Sequence, residues 1–505
     1  MTSRIALNRR SFIAGAAATP LAGPAFGARK SRPNIVVIVV DDMRFDEYGA
    51  GGHPYLKTPS IDALGAGGAT FRNAYHTTPL CSPNRASILT GQYASRHGIL
   101  DNTSRASASH QLHTFAQELQ NAGYETAHVG KWHMGNDPTP RPGYAYWVSF
   151  AGQGRTHDPE LYEDGKSHVV PGYVSDIFTD RAIAFATRKR SKPFMAYIGH
   201  KAIHPDIQQR DDGSVDVSAG QKFVPAPRHK GAYAGRIFPR APSFGLTAEV
   251  RANQPVIAAA MDVKNSAEMM AQFGASVLDP RVSDETIQAR AEMMLAVDEG
   301  VGRFVAALEE KKLFENTLFI FMSDNGYFFG EHGLSLERRL PYEESVKCPL
   351  VVSHPAAIAP ATLIDDFALS IDIAPTAVAA AGAPIPERMQ GRALQPLLAG
   401  AAGEWRSSFL VEYYSHDNPF PWTARLDYRA VREGRYKYVR WIRQDDAEEL
   451  YDLSADPFER RNIAPEGDKA GVLARMRDLT SKLALDSLGL PSANYQVSGK
   501  PPGGG

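Results

Sequence analysis

The residues best equipped for chemistry in this chain stand in short, widely separated groups. Asp41 and Asp42 are adjacent at the end of an apolar run, and Asp324-Asn325 closes another such run much later. These four oxygen donors have no cysteine beside them, and hard oxygen ligands favour calcium or magnesium over zinc. An Asp-Asp pair at a strand end also serves as a helix cap or turn; the second pair tilts the balance toward a cation. Another group is Cys81-Ser82-Pro83-Asn84-Arg85-Ala86-Ser87, continuing to Leu89-Thr90-Gly91. It sets a small nucleophile ahead of a proline-shaped turn and of a guanidinium able to hold a tetrahedral anion or a developing oxyanion. A lone cysteine in an α/β protein is more commonly a buried structural residue. The polar setting of Cys81 argues against that role, whereas Cys348, between Lys347 and Pro349 ahead of an apolar strand, fits it. Lys131 and His133, two apart, can face one centre only from an extended loop. His200, Lys201 and His204 make a last cluster, in which His200 and Lys201 suit a substrate contact or a surface position equally.

Strands must deliver these groups. Residues 34–40 form a continuous apolar, β-branched run, which reads as a strand buried on both faces. Similar runs recur at 126–129, 194–198, 318–322 and 350–352, with helical patterns between several of them, at 112–122 and 291–308. Strands alternating with helices predict an α/β fold with a large, mostly parallel sheet flanked by helices. Ligands in such sheets gather at the carboxyl ends of the strands, which is where Asp41, Asp42, Lys131, His133, Asp324 and Asn325 fall. Residues 211–280 lack clear periodicity and read as a long surface insertion; together with 417–427 they are candidates to shape a pocket. Beyond about residue 400, alternations at 428–441 and 449–453 predict a smaller C-terminal antiparallel-sheet subdomain, followed by a helix over 470–485 and a Gly/Pro-rich end at 498–505.

Bulk properties narrow the function. The chain has 505 residues, 43% of them hydrophobic, enough for a large core and more than one compact unit. A net charge of −1 without a basic stripe gives no footprint for nucleic acid or an anionic membrane. Two cysteines exclude a disulfide framework and a cysteine-rich zinc site. At the N-terminus, Asn8-Arg9-Arg10-Ser11-Phe12-Ile13 precedes a mildly apolar stretch and small residues to Ala28, the pattern of a twin-arginine export signal. That stretch is shorter than the roughly 20 residues a membrane span needs. The expected organisation is therefore an export signal at 1–28, a catalytic α/β domain at 29–400 and an α+β subdomain at 401–505, with the protein periplasmic or secreted.

The segment Cys81-Ser82-Pro83-Asn84-Arg85 with Thr90-Gly91 resembles the signature of the type I, formylglycine-dependent sulfatases of the alkaline-phosphatase-like superfamily. Gly130-Lys131-Trp132-His133-Met134-Gly135 is similar to the family's second motif, and Ser323-Asp324-Asn325-Gly326 with Gly330-Glu331-His332-Gly333 to its third. The resemblance runs from about Pro33 to Ala464 and includes Glu449-Leu450-Tyr451-Asp452-Leu453 and Asp456-Pro457-Phe458-Glu459. It implies that Cys81 is oxidised to formylglycine (3-oxoalanine) by a formylglycine-generating or sulfatase-maturing enzyme. It further implies that Asp41, Asp42, Asp324, Asn325 and the modified Cys81 bind Ca2+ or Mg2+, and that Arg85 steadies the hydrated aldehyde. Lys131 would bind sulfate, His133 would help the second hydroxyl lose its proton, and His204 would face the leaving-group oxygen. Where many members carry a sulfate-binding lysine this chain has Leu336-Glu337-Arg338-Arg339-Leu340, and Arg338 best fills the place. Lys201, His204 and Arg338 join Lys131 as expected substrate contacts.

The implied function is hydrolysis of a sulfated carbohydrate or an alkyl or aryl sulfate ester. Two rivals remain at this level. One is a phosphonate or phosphate monoester hydrolase of the same superfamily; the other is an inactive protein that binds sulfated glycans. The retention of Cys81, Pro83 and Arg85 together argues against the second.

Overall fold

Seven buried residues in unbroken succession make β1 (Asn34–Val40) the centre of the protein. The computed structural model describes residues 32–488 except 104–105, 211–214, 217–221, 274–281, 336, 402 and 416–419. The expected export signal and the Gly/Pro-rich end lie outside the described residues. Around β1 stand β2 (Ala69–Tyr75), β3 (Glu125–Gly130), β4 (Tyr146–Ser149), β5 (Glu160–Glu163), β6 (Lys166–Val169) and β7 (Phe194–Gly199). A short ribbon, β8 (Gln208–Gln209) with β9 (Val215–Asp216), follows; then come β10 (Thr317–Ser323), β11 (Lys347–Ser353), β12 (Thr362–Ile364) and β13 (Ala368–Leu369). The large sheet has the order β12-β2-β11-β10-β1-β7-β3-β4-β5-β6, with β13 also paired to β2. Its middle, from β10 through β1, β7 and β3 to β4, is parallel. The strand expected at 350–352 is β11, which runs antiparallel to β10.

Alternate residues of β1 face opposite layers, as the two-residue period of a strand requires. Ile35, Val37 and Val39 pack with Ala86, Ile88 and Leu89 of one helix, with Phe115 and Leu119, and with Ile373, Ala377 and Val378. Val36, Ile38 and Val40 pack with Ile61 and Leu64, with Phe178 and Phe185, and with Val297, Val301 and Phe304. This is the sheet covered by helices on both faces that the sequence predicts. The helix Asp284–Glu310 starts earlier than its hydrophobic period, because the Ser283 side chain caps it by accepting from the Thr286 N–H. The helix Phe115–Asn121 starts later than its period, behind a turn in which Gln117 Oε1 accepts from the Thr114 N–H at 2.9 Å.

The region 211–280 departs from the expected structureless insertion. It contains helices Ala248–Asn253, Pro255–Lys264 and Ala267–Phe273. Val256, Ile257 and Met261 are buried in a cluster that also holds Tyr75, Phe328, Phe409 and Trp441. Pro255 opens its helix, where the missing N–H costs nothing.

Beyond residue 400, β14 (Ser408–Tyr413), β15 (Tyr428–Glu433), β16 (Tyr436–Trp441) and β17 (Glu448–Asp452) form the antiparallel sheet, in that order. One face shares its core with the large-sheet part through Phe409, Val411, Tyr428, Trp441 and Tyr451. The other face packs Leu410, Val431, Tyr438 and Leu450 against Leu473, Met476 and Ala484 of the helix Ala470–Leu488. Among the described residues, no helix is long and apolar enough to cross a membrane.

Candidate active site

Because β1, β3, β7 and β10 run parallel, their carboxyl ends open on one edge, and the chemical groups follow directly from them. Asp41 and Asp42 follow β1, Lys131 and His133 follow β3, His200 to His204 follow β7, and Asp324-Asn325 follow β10. Backbone bonds tie these ends together: Asp41 N–H to Ala202 O at 2.8 Å, Lys131 N–H to Gly199 O at 2.7 Å and Asp324 N–H to Val40 O at 3.1 Å. Gly130 has φ +114°, and a Cβ there would stand 2.1 Å from the Gly199 carbonyl oxygen, so only glycine lets β3 feed Lys131 into the centre. Asp42 and His133 adopt left-handed φ of 58° and 60°. Cys81 opens α2 (Cys81–Thr90), the helix after α1 (Pro59–Ala66), rather than preceding a turn. Pro83 is tolerated because it lies in the first turn, whose N–H groups lack helical partners.

The side chains converge. One ligand atom each from Asp41, Cys81 and Asp324 lie within 4.8 Å of one another. Cys81 Sγ is 3.8 Å from Asp42 Oδ1, which accepts from Asn325 Nδ2 at 2.7 Å. Arg85 is wholly buried; its Nε donates to Asp324 Oδ2 at 2.7 Å and its Nη1 to Lys131 O at 2.9 Å. Lys131 Nζ bonds Asp41 Oδ2 and donates to Gln153 Oε1 at 2.5 Å. His204 Nδ1 lies 2.8 Å from Pro205 O, an acceptor that assigns the proton to Nδ1 and leaves Nε2 facing inward, 3.8 Å from Asp42 Oδ2. His133 is buried, and Ser82 Oγ holds its carbonyl.

The two arginines after Glu337 separate. Arg338 Nη1 stands 3.0 Å from Asp42 Oδ2 and its Nη2 3.4 Å from His204 Nε2. Arg339, at φ +80°, turns the other way, pairing with Glu337 and lying over the Phe420 ring. Lys201 does not join the centre: its Nζ is held by Pro205 O at 3.0 Å and Asp206 Oδ1 at 3.1 Å.

Three oxygens around the centre, Asp41 Oδ1, Asp42 Oδ2 and Asn325 Oδ1, are buried and accept no hydrogen bond. Oxygens without a hydrogen bond in so dry a place are costly alone, and the three, of which Asp42 Oδ2 meets the Arg338 guanidinium, form the donor set a hard divalent cation takes. Burial, then the charge of Asp41, pushes Asp324 up to about 7. Burial also raises Asp42, overcoming Arg338. Burial opposes ionisation of Asp41 too, but Lys131, His204 and Arg85 outweigh it and hold that carboxyl well below its ordinary value. Burial, followed by the three carboxylates, drives the Cys81 thiol well upward, so the site is hostile to a thiolate.

Sequence reasoning missed Gln153, which follows β4 in a glycine-flanked loop and carries no signal by residue type. It also missed Arg290, which donates to the Asp42 carbonyl at 2.6 Å. Glu331 and His332 face away from the centre. Glu331 accepts from Arg44 at 2.8 Å, and His332 stacks on Tyr342 at 4.3 Å with its Nδ1 3.0 Å from Gln254 Oε1.

This edge of acidic strand ends, with a residue at a helix N-terminus aimed among them, fits the hydrolase family that the sequence motifs resemble. Residues 33–383 match the family described as sulfatase, and residues 330–485 match one described as N-sulphoglucosamine sulphohydrolase, C-terminal. An N-acetylglucosamine-6-O-sulfatase from Bacteroides thetaiotaomicron is 30% identical over 512 aligned positions, covering 90% of this chain and 87% of the relative. A solved structure of a protein in complex with its substrate D-glucosamine-2-N,6-O-disulfate superposes with TM-score 0.74 at 26% identity, covering 92% of this chain and all of the other. A phosphonate monoester hydrolase from Silicibacter pomeroyi shares the fold with TM-score 0.71 at 24% identity, covering 90% of this chain and 96% of that one. The chain belongs to the sulfatase family and is a hydrolase of sulfate esters.

Proposed function

We propose that the chain removes sulfate from a sulfated saccharide, using formylglycine made from Cys81 and a calcium ion, with magnesium the alternative, held by Asp41, Asp42, Asp324 and Asn325. The observation that carries this reading is the trio of buried oxygens on Asp41, Asp42 and Asn325 that accept no hydrogen bond beside Cys81. The hydrated aldehyde would supply two hydroxyls, one to attack sulfur and one to release the enzyme, and the cation would draw charge from a sulfate oxygen. Arg85, fixed by Asp324 and the Lys131 carbonyl, steadies the residue at position 81. Lys131 and Arg338 supply positive charge to the sulfate from two sides, and Gln153 orients the Lys131 ammonium. His204, with Nε2 inward, serves the leaving-group oxygen, and His133 takes the proton whose loss regenerates the aldehyde. Lys201 acts through Asp206 and Pro205 rather than on the sulfate.

The saccharide class is supported by a cavity of about 420 Å3 that shares Gln153 with the centre. Asn136, Arg155, Glu160 and Ser167 line it with hydrogen-bonding groups for sugar hydroxyls, beside Pro138, Phe150 and Ile207, which offer apolar surface to the face of a ring. The similar proteins named for glucosamine sulfates agree with that class. In this reading a maturing enzyme modifies Cys81, the twin-arginine signal exports the folded protein to the periplasm, residues 29–400 carry the chemistry and residues 401–505 brace it. Hydrolysis of N-acetylglucosamine 6-sulfate, 4-nitrophenyl sulfate and a matched phosphonate monoester, followed by sulfate release from the first two and by release of the alcohol from the third, tests the proposal. Preference for the sugar sulfate supports it; preference for the aryl ester removes the saccharide class, and preference for phosphorus replaces the reading with the phosphonate hydrolase.

A further inference from the structure

Arg290 lies on the core-facing side of the helix Asp284–Glu310 and is wholly buried. Its Nη2 donates to the Asp42 carbonyl and to Glu47 Oε2, each at 2.6 Å, and its Nε donates to Glu47 Oε1 at 2.9 Å. The guanidinium lies 4.1 Å from the centroid of Tyr327 and 5.3 Å from that of Phe329. Glu47 Oε2 also accepts from the Arg44 N–H at 2.9 Å. Arg44 in turn donates through Nη1 to Glu331 Oε1 at 2.8 Å and to Tyr327 O at 3.2 Å, and lies over Phe329 at 4.4 Å. The network therefore runs from the helix to the Asp41-Asp42 turn and, through the Arg44 backbone N–H and then its guanidinium, which Asp46 also holds at 2.8 Å, on to the loop that follows Asp324-Asn325.

We propose that Arg290, Glu47, Arg44 and Glu331 form a buried brace that sets the two acid-bearing turns at the spacing a divalent cation needs, with Arg290 the principal positioning residue. The proposal rests on the cation reading above. Three carboxylates crowded at the strand ends repel one another, and Asp42 is held at φ +58°, a conformation that a non-glycine residue keeps only when its surroundings impose it. A guanidinium fork on a long helix is suited to impose it, because one planar group binds the turn's carbonyl and the adjacent carboxylate together. Lysine keeps the charge but has no second nitrogen to match Nε on Glu47 Oε1, so it cannot hold that carboxylate bidentately. The brace also gives Glu331 a purpose although it points away from Cys81: it carries the restraint across to the second turn.

The test is Ca2+ titration of the metal-stripped full-length protein by calorimetry, with thermal unfolding of the same samples without metal. R290K is expected to raise the Ca2+ dissociation constant about tenfold or more, the usual effect of removing a group that orients metal ligands. E331Q, nearly isosteric, is expected to raise it several-fold, and R228A, an exposed arginine paired with Asp176, is expected to leave it unchanged. A folded R290K that binds Ca2+ like the parent while only its unfolding midpoint falls overturns the proposal. If R290K does not fold, E331Q decides, and parental affinity in that variant is the overturning result. A parent that binds neither Ca2+ nor Mg2+ sinks the cation reading itself and the brace with it, an outcome distinct from a parent that binds and variants that do not differ.

Discussion

Adjacent arginines with opposite tasks offer a sharp prediction. Arg338 reaches Asp42 and His204, whereas the left-handed backbone at Arg339 sends the next guanidinium to Glu337 and Phe420. Replacing Arg338 by alanine removes a preorganised cation from a centre sealed from water, where such a donor is worth about 3–4 kcal/mol in the transition state, or roughly 10²- to 10³-fold in rate. R338K restores the charge without the fork and recovers part of that loss. R339A instead removes the paired cation of Glu337, which is 3% exposed and is left with neutral donors, the Arg338 N–H and the Trp422 indole, and breaking one side of a buried pair costs about 3 kcal/mol or more of stability. Sulfate release on the parent's best substrate, reported as kcat/KM beside a urea unfolding midpoint, separates the two. The expected result is a folded R338A with little turnover and a destabilised R339A whose folded fraction turns over normally. Parental kcat/KM in R338A, with the loss falling on R339A, would refute the assignment.

Other outcomes follow from the same geometry. G130A is expected to lose at least about 3 kcal/mol or to be insoluble, because its Cβ would meet the Gly199 carbonyl and left-handed φ is imposed there; unfolding in urea checks it. C81A should abolish turnover while leaving circular dichroism and the unfolding midpoint near the parent's. Chelation should remove activity, and calcium should restore it better than zinc, since the donors are all hard oxygens; recovery with zinc alone would argue for a different site. I257A should cost about 2–4 kcal/mol, as expected of a core residue in the helix Pro255–Lys264 and not of a surface loop.

The central sheet was legible because β1, β7 and β10 are apolar runs too short for helices and end at the residues with chemistry. The motif residues Asp41, Asp42, Cys81, Arg85, Lys131, His204, Asp324 and Asn325 do converge. What remained hidden depends on direction rather than on residue type. Nothing in Leu336-Glu337-Arg338-Arg339 says which arginine turns inward until φ at 339 is known. Lys201 is the same residue type as Lys131, yet Asp206 captures it. Gln153 has no motif, and Arg290 sits at an ordinary core position of a helix whose period gives no hint that its guanidinium reaches a strand end. The helices within 211–280 were concealed by the prolines and glycines of the segments that precede them, although Val256, Ile257 and Met261 keep a helical spacing.

Position 81 carries the proposed nucleophile. Intact-peptide mass spectrometry across Cys81, on protein from its own host that has been shown to release sulfate, tests it most directly. Conversion of the thiol to the aldehyde in the active protein is the predicted result; an unmodified thiol in fully active protein would contradict it.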